Sequence, residues 1–271
     1  MSNTSCLIRF VAVLLSTLVA DTGQLAAVSY TLKDLGSLTG GTAVAHHINR
    51  NGSVVGVSGF PHGSKNHAFF VSSQAGIRDL GSLPGGDYSA AFELNSSNQV
   101  VGESNTATNI HAFLWTASSG LKDLGALPGD TASRAFGMND SGQVVGYSSG
   151  PHGEHAFLWT SSAGMEDLGA LPGSNFSEAQ AINNNGQVVG FSANSAGSRA
   201  FLWTRASGMQ DLGVLPGDTE SKAVGISDSG QVIGWSVGSG GTRAFFWTSA
   251  TGMSAGQRRR WAWSGLTCIA K

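Results

Sequence analysis

Two stretches of this sequence carry the Gly-x-Ser-x-Gly pattern, Gly146-Tyr147-Ser148-Ser149-Gly150 and Gly234-Trp235-Ser236-Val237-Gly238. In hydrolases that pattern lifts a nucleophilic serine onto a sharp strand-to-helix turn. No helical periodicity follows either stretch, and Gly-x-Ser recurs at Ser58, Ser104, Ser148, Ser192 and Ser236. The serines therefore read as a repeated strand position and not as nucleophiles. Three histidines open one tripeptide, at His67-Ala68-Phe69, His111-Ala112-Phe113 and His155-Ala156-Phe157. Imidazole is the commonest side-chain metal ligand. Arg199 and Arg243 hold the same place in two further copies, however, and a guanidinium donates hydrogen bonds without ligating metal. The position reads as a cap on a strand. Asn139-Asp140-Ser141-Gly142 and Asn183-Asn184-Asn185-Gly186 space oxygen side chains as calcium loops do, with too few carboxylates, and Asn49-Arg50-Asn51-Gly52 carries a cation. A turn between two strands accounts for all three. No metal and no cofactor is expected.

The elements that position these residues form an internal repeat. Asp-Leu-Gly starts at Asp34, Asp79, Asp123, Asp167 and Asp211, one step of 45 residues and then three of 44. The His/Arg-Ala-Phe triplet advances by 44 residues each time, from His67 to Arg243. Val-Val/Ile-Gly, ending at Gly56, Gly102, Gly146, Gly190 and Gly234, keeps the same register. Within each unit four short apolar or β-branched stretches alternate with turn residues, the pattern of strands. Pro84-Gly85, Pro128-Gly129, Pro172-Gly173 and Pro216-Gly217 suit type II turns, in which Pro fixes φ at the second position and Gly accepts a positive φ at the third. Four antiparallel strands in about 44 residues match one propeller blade.

In His155-Ala156-Phe157-Leu158-Trp159-Thr160, alternation sends Phe157 and Trp159 to one face and Ala156 and Leu158 to the other. Such strands are apolar on both sides, as stacked blades require. An unpaired copy of the fourth strand, Tyr30 to Leu35, precedes the first unit, and no Asp-Leu-Gly follows Met253. The expected fold is an all-β, five-bladed β-propeller closed by this N-terminal strand, with a β-solenoid or an open array as alternatives. Residues 28–253 form that domain, and 254–271 form a non-repeat tail that does not pair.

Only 12% of the 271 residues are charged, Gly numbers 39, and the net charge is -2. That balance argues against nucleic-acid binding, and the 41% hydrophobic content argues against disorder. Residues 1–27, with Arg9 ahead of an apolar run from Phe10, read as a signal peptide, too short to span a bilayer as a helix. A secreted or cell-surface monomer is expected, with no stable membrane span after cleavage. Cys268 is then the sole thiol, so packing alone holds the fold.

The triplets, in fixed order with Asp-Leu-Gly, Leu-Pro-Gly and Asn-x-x-Gly-Gln-Val-Val-Gly, resemble the extracellular HAF repeat family of bacteria over about residues 30–253. The resemblance implies an exported or surface protein and adds little chemistry. Variable positions are the candidates for binding: Phe60 and His62 in the first loop between second and third strands, His152 in the third such loop, and Tyr147, Phe191 and Trp235 after Val-Val-Gly. The expected function is a non-catalytic scaffold or recognition module that engages a glycan or a surface protein. The rivals are a propeller glycosidase or lyase and a structural passenger; an enzyme would break the repeat with unlike acid and base residues, whereas these copies are nearly uniform.

Overall fold

The computed structural model describes residues 32–60, 65–72 and 76–255. The chain falls into two compact units, Met1–Asp34 and Leu35–Lys271. Of the first, only Leu32–Asp34 are described, and they form no strand. The expected signal peptide lies outside the described residues.

The second unit is five antiparallel four-stranded sheets, each made of consecutive strands. The first holds β1 (Ala43–Ile48), β2 (Val54–Gly59), β3 (Asn66–Val71) and β4 (Ile77–Gly81). The second holds β5 (Ser89–Leu94), β6 (Val100–Asn105), β7 (Ile110–Thr116) and β8 (Gly120–Asp123). The third holds β9 (Ala132–Met138), β10 (Val144–Gly150), β11 (Gly153–Thr160) and β12 (Gly164–Asp167). The fourth holds β13 (Phe176–Ile182), β14 (Val188–Asn194), β15 (Gly197–Thr204) and β16 (Gly208–Asp211). The fifth holds β17 (Asp218–Ile226), β18 (Val232–Gly238), β19 (Gly241–Thr248) and β20 (Gly252–Ala255).

The repeated residues each have a local reason. The glycine of Val-Val-Gly sits at a bulge between first and second strands, where the register slips between Val145 and Gly146. A Cβ on Gly146 would lie 1.8 Å from the Arg134 carbonyl oxygen, so no side chain fits. Leu-Pro-Gly closes the type II turn its sequence predicts: Gly129 has φ +92, and the Asp130 N–H bonds the Leu127 carbonyl at 2.9 Å.

Adjacent sheets pack through the two faces of the third strand. Phe157 and Trp159 of β11 meet Val101, Ala112 and Leu114 of the preceding sheet, while Ala156 and Leu158 meet Val188, Phe201 and Trp203 of the next. A buried serine latches each interface: Ser133 Oγ accepts from the Ala112 N–H at 2.8 Å and donates to the Gly125 carbonyl. Ser89, Ser177 and Ser221 repeat this contact.

The ends depart from the expected closure. The fourth place in the last sheet is filled by β20 and not by the N-terminal strand, with Phe246 opposite Ser254 and Phe245 opposite Ala255. Ladder bonds need only backbone, so losing Asp-Leu-Gly does not prevent the pairing. A local hairpin, turning at Gly252 with φ +67, also costs far less loop entropy than recruiting a strand from the other end of the chain. The strand thus runs two residues into the expected tail, and residues 256–271 lie outside the described ones. Among the described residues, the end blades keep apolar side chains exposed: Ile48 is 62% exposed on β1 and Ile233 54% on β18.

Candidate functional site

Most of the residues that suggested chemistry are consumed by the scaffold. Ser148 and Ser236 are fully buried on β10 and β18. Ser148 Oγ accepts the Leu127 N–H at 2.9 Å and donates to the Ala132 carbonyl at 3.2 Å. It clasps the incoming linker to its sheet, with its donor and an acceptor site engaged. The triplet histidines turn to the Asp of Asp-Leu-Gly in the same sheet, with His67 Nδ1 2.9 Å from Asp79 and His111 Nδ1 2.9 Å from Asp123. The same carboxylates accept the N–H two residues on, as Asp79 does from Gly81 at 2.7 Å. His67, His111 and His155 stay in separate sheets.

The Asn turns build the axial end. Asn139 Oδ1 accepts from the N–H groups of Ser141 and Gln143, which fixes its own turn. Its Nδ2 donates to the Asn183 carbonyl of the next sheet at 3.0 Å. Asn49, Asn95 and Asn183 make the same hand-over, which ends at Ser227, a residue with no amide to pass on. Beside this ladder Asp140 accepts from Ser96 N–H and Oγ, and these bonds hold its carboxyl below the ordinary range. In the second sheet Asn98, with φ +59, replaces the turn glycine, a left-handed conformation that Asn tolerates.

The turns surround a cavity of about 440 Å³ that receives His47, Arg50, Glu93, Asn139, Asn183 and Asp228. Here the repeat is broken. His47 and Glu93 stand where the later sheets have Gly137, Ala181 and Gly225. His47 Nε2 is 3.1 Å from Glu93 Oε1. Burial lowers the imidazole's pKa and pushes the carboxyl up to about 7, so both shifts favour the uncharged forms of the pair. Desolvation outweighs the mutual attraction that a charged pair would gain.

A second hollow, about 330 Å³, opens between the fourth and fifth sheets, lined by Phe176, Phe191, Asn194, Ser198, Glu220 and Lys222. Phe176 stacks on Phe191 at 5.5 Å between centroids. Lys222 Nζ lies 3.7 Å from the Phe191 centroid and 5.4 Å from that of Trp235, its partner across the ladder. Ser198 Oγ donates to Glu220 Oε2 at 3.1 Å.

Of the six sequence candidates, Phe191 and Trp235 come together around Lys222. Tyr147 packs in the third sheet, 5.7 Å from Phe136. Phe60 meets His67 edge-on at 4.9 Å, and His152 is exposed in the β10–β11 turn, so neither joins the hollow. His62 lies outside the described residues. Phe176, Glu220 and Lys222 were missed because each repeat was read strand by strand. Pairing the variable places across the first two strands finds part of the set: Arg134 opposite Tyr147, Glu178 opposite Phe191, Lys222 opposite Trp235.

No family model and no curated protein matches the sequence. Among solved structures, TolB from Acinetobacter baumannii aligns with a TM-score of 0.55 and 11% identity over 75% of this chain, which spans 52% of TolB. Virginiamycin B lyase from Staphylococcus aureus gives 0.52 and 11%, with 81% of this chain and 71% of that one covered. The β-propeller domain of the Trilobed protease from Pyrococcus furiosus, described as having an open velcro topology, gives 0.55 and 9%, with 84% and 71% covered. At such identities the likeness establishes the fold alone: this chain is a β-propeller of five four-stranded blades. Among the described residues, no helix is long and apolar enough to cross a membrane.

Proposed function

We propose that this protein is an exported, non-catalytic recognition module of the HAF repeat type, and that it holds a glycan in the hollow between the fourth and fifth blades. The observation that carries this reading is the pairing of an aromatic floor with a polar rim. Phe176 is half-buried and offers ring surface to the C–H face of a sugar. Asn194, Glu220 and Lys222 supply an amide, a carboxylate and an ammonium within the same hollow for hydroxyl groups. Lys222 covers one face of Phe191, so Phe176 is the ring a sugar would meet first. Export rests on Arg9 and the apolar run behind it.

A glycan array followed by calorimetry tests the site. Phe176→Ala and Glu220→Gln should each weaken binding by roughly tenfold, the loss of about 1.4 kcal/mol of contact. Binding that is unaffected by both changes, or no glycan bound at all, refutes it. Mass spectrometry of the secreted chain should find an N-terminus between Asp21 and Tyr30; an intact Met1 in the cytoplasm refutes export.

A second reading, catalysis in the axial cavity, is favoured by His47 and Glu93. They are the unlike titratable pair that an enzyme on a repeat scaffold requires. Turnover of polysaccharides that disappears in Glu93→Gln while glycan binding persists would establish this reading over the first.

A further inference from the structure

Every internal interface of the propeller uses the same places in the repeat. Val55, Ala68, Phe70 and Leu80 of the first blade, with Leu83 of the linker, meet Ala91, Leu94, Val100, Phe113 and Trp115 of the second. At the far end of the array, Ile233, Ala244 and Phe246 stand where Val55, Ala68 and Phe70 do. Val55, Val101, Val145 and Val189 are fully buried, yet Ile233 is 54% exposed. At the near end, Ala45 and Ile48 stand where Ala91 and Leu94 do; Leu94 is 2% exposed and Ile48 62%. The propeller therefore ends in two halves of one interface.

We propose that these halves bind each other between molecules, the first blade of one copy docking head-to-tail on the last blade of a second copy of this chain. The head already carries the linker residues that such a joint needs. Leu35 and Leu38, equivalent to Leu80 and Leu83, pack on Val54, Phe69 and Val71. The Leu38 N–H bonds Ser58 Oγ at 3.1 Å, as the Leu83 N–H bonds Ser104 Oγ at 2.8 Å. What is missing there is a β-branched, small and bulky apolar triplet, which the tail presents in the same order. Phe70 meets Trp115 at 5.6 Å in the internal interface; at the joint Phe246 meets Val71, a smaller residue that leaves room for it.

One internal contact has no counterpart. Ala43 occupies the place of the latching Ser89, so the joint lacks that hydroxyl and is weaker than the internal interfaces. Association is therefore reversible. Because the two faces differ, it extends into chains or closes into rings.

Sedimentation velocity of the whole chain over a concentration series should show mass rising with concentration. Ile48→Asp blocks the head and Ile233→Asp blocks the tail. Each should weaken self-association by at least about tenfold, because the joint would bury an unpaired carboxylate. Both positions are already solvent-exposed, so folding is retained, and circular dichroism checks it; Phe246→Glu is the second tail variant. An equimolar mixture of the head and tail variants keeps one intact head and one intact tail, and should form a dimer and nothing larger. A wild type that stays monomeric throughout, whether its faces are covered by its own chain or by ring closure, overturns the proposal. So does association unchanged by both variants, or a mixture that remains monomeric.

Discussion

Glu93→Gln offers a quantitative test of how the axial cavity is built. Burial moves the Glu93 carboxyl from 4.5 to about 7, which corresponds to roughly 3 kcal/mol at full ionisation. With 28% of the side chain still in contact with water, about 2 kcal/mol is the working figure. Between these two values the unfolded chain has lost the proton that the folded chain keeps. Stability from this group is thus complete below 4.5, falls as pH rises, and is lost above about 7. Gln is neutral at every pH, matches Glu in shape, and keeps an N–H for His47 Nε2. At about pH 5 the variant and the wild type should melt together. At about pH 8.5 the variant should be more stable by about 2 kcal/mol, or roughly 4–8 °C in Tm for a domain of this size. Differential scanning calorimetry across this range measures the gap. Other buried acids, such as Glu178, are common to both proteins and cancel. Parallel Tm curves, or a variant destabilised at high pH, would show that Glu93 is ionised in the fold and that the neutral pair is wrong.

Three further changes probe the scaffold. Ser148→Ala leaves the buried Leu127 N–H without its acceptor and should cost about 1–3 kcal/mol in urea unfolding. Gly146→Ala places a methyl 1.8 Å from a backbone oxygen and should cost at least about 3 kcal/mol, read as insoluble or strongly destabilised protein on expression. Asn139→Ala removes both the turn bonds and the hand-over to Asn183. It should lower stability by about 2–4 kcal/mol in the same unfolding assay. The matching Ser227→Ala should cost less than about 1 kcal/mol, because the Ser227 hydroxyl bonds only within its own turn and the backbone bonds of that turn survive the change.

The repeat, its strand count and its turns could be read from sequence because each depends on residues close together in the chain. Pro128-Gly129 needs one positive φ, and Phe157 and Trp159 need only strand alternation to share a face. The scaffold roles of Ser148 and His67 were legible for a related reason: the serine recurs in all five copies, and Arg replaces His in two of them, as suits a hydrogen-bond donor. What closes the last blade was not legible. Ladder pairing is made by backbone, so β20 forms from Gly252–Ala255 without the Asp-Leu-Gly signature that marks every other fourth strand. The two hollows depended on tertiary structure for another reason. His47 and Glu93, or Phe176 and Lys222, are about one repeat apart in sequence and meet only because neighbouring blades bring equivalent positions side by side. Sequence set the period of the array; stacking decided which variable residues from different periods share a cavity, and which apolar positions of the end blades stay exposed among the described residues.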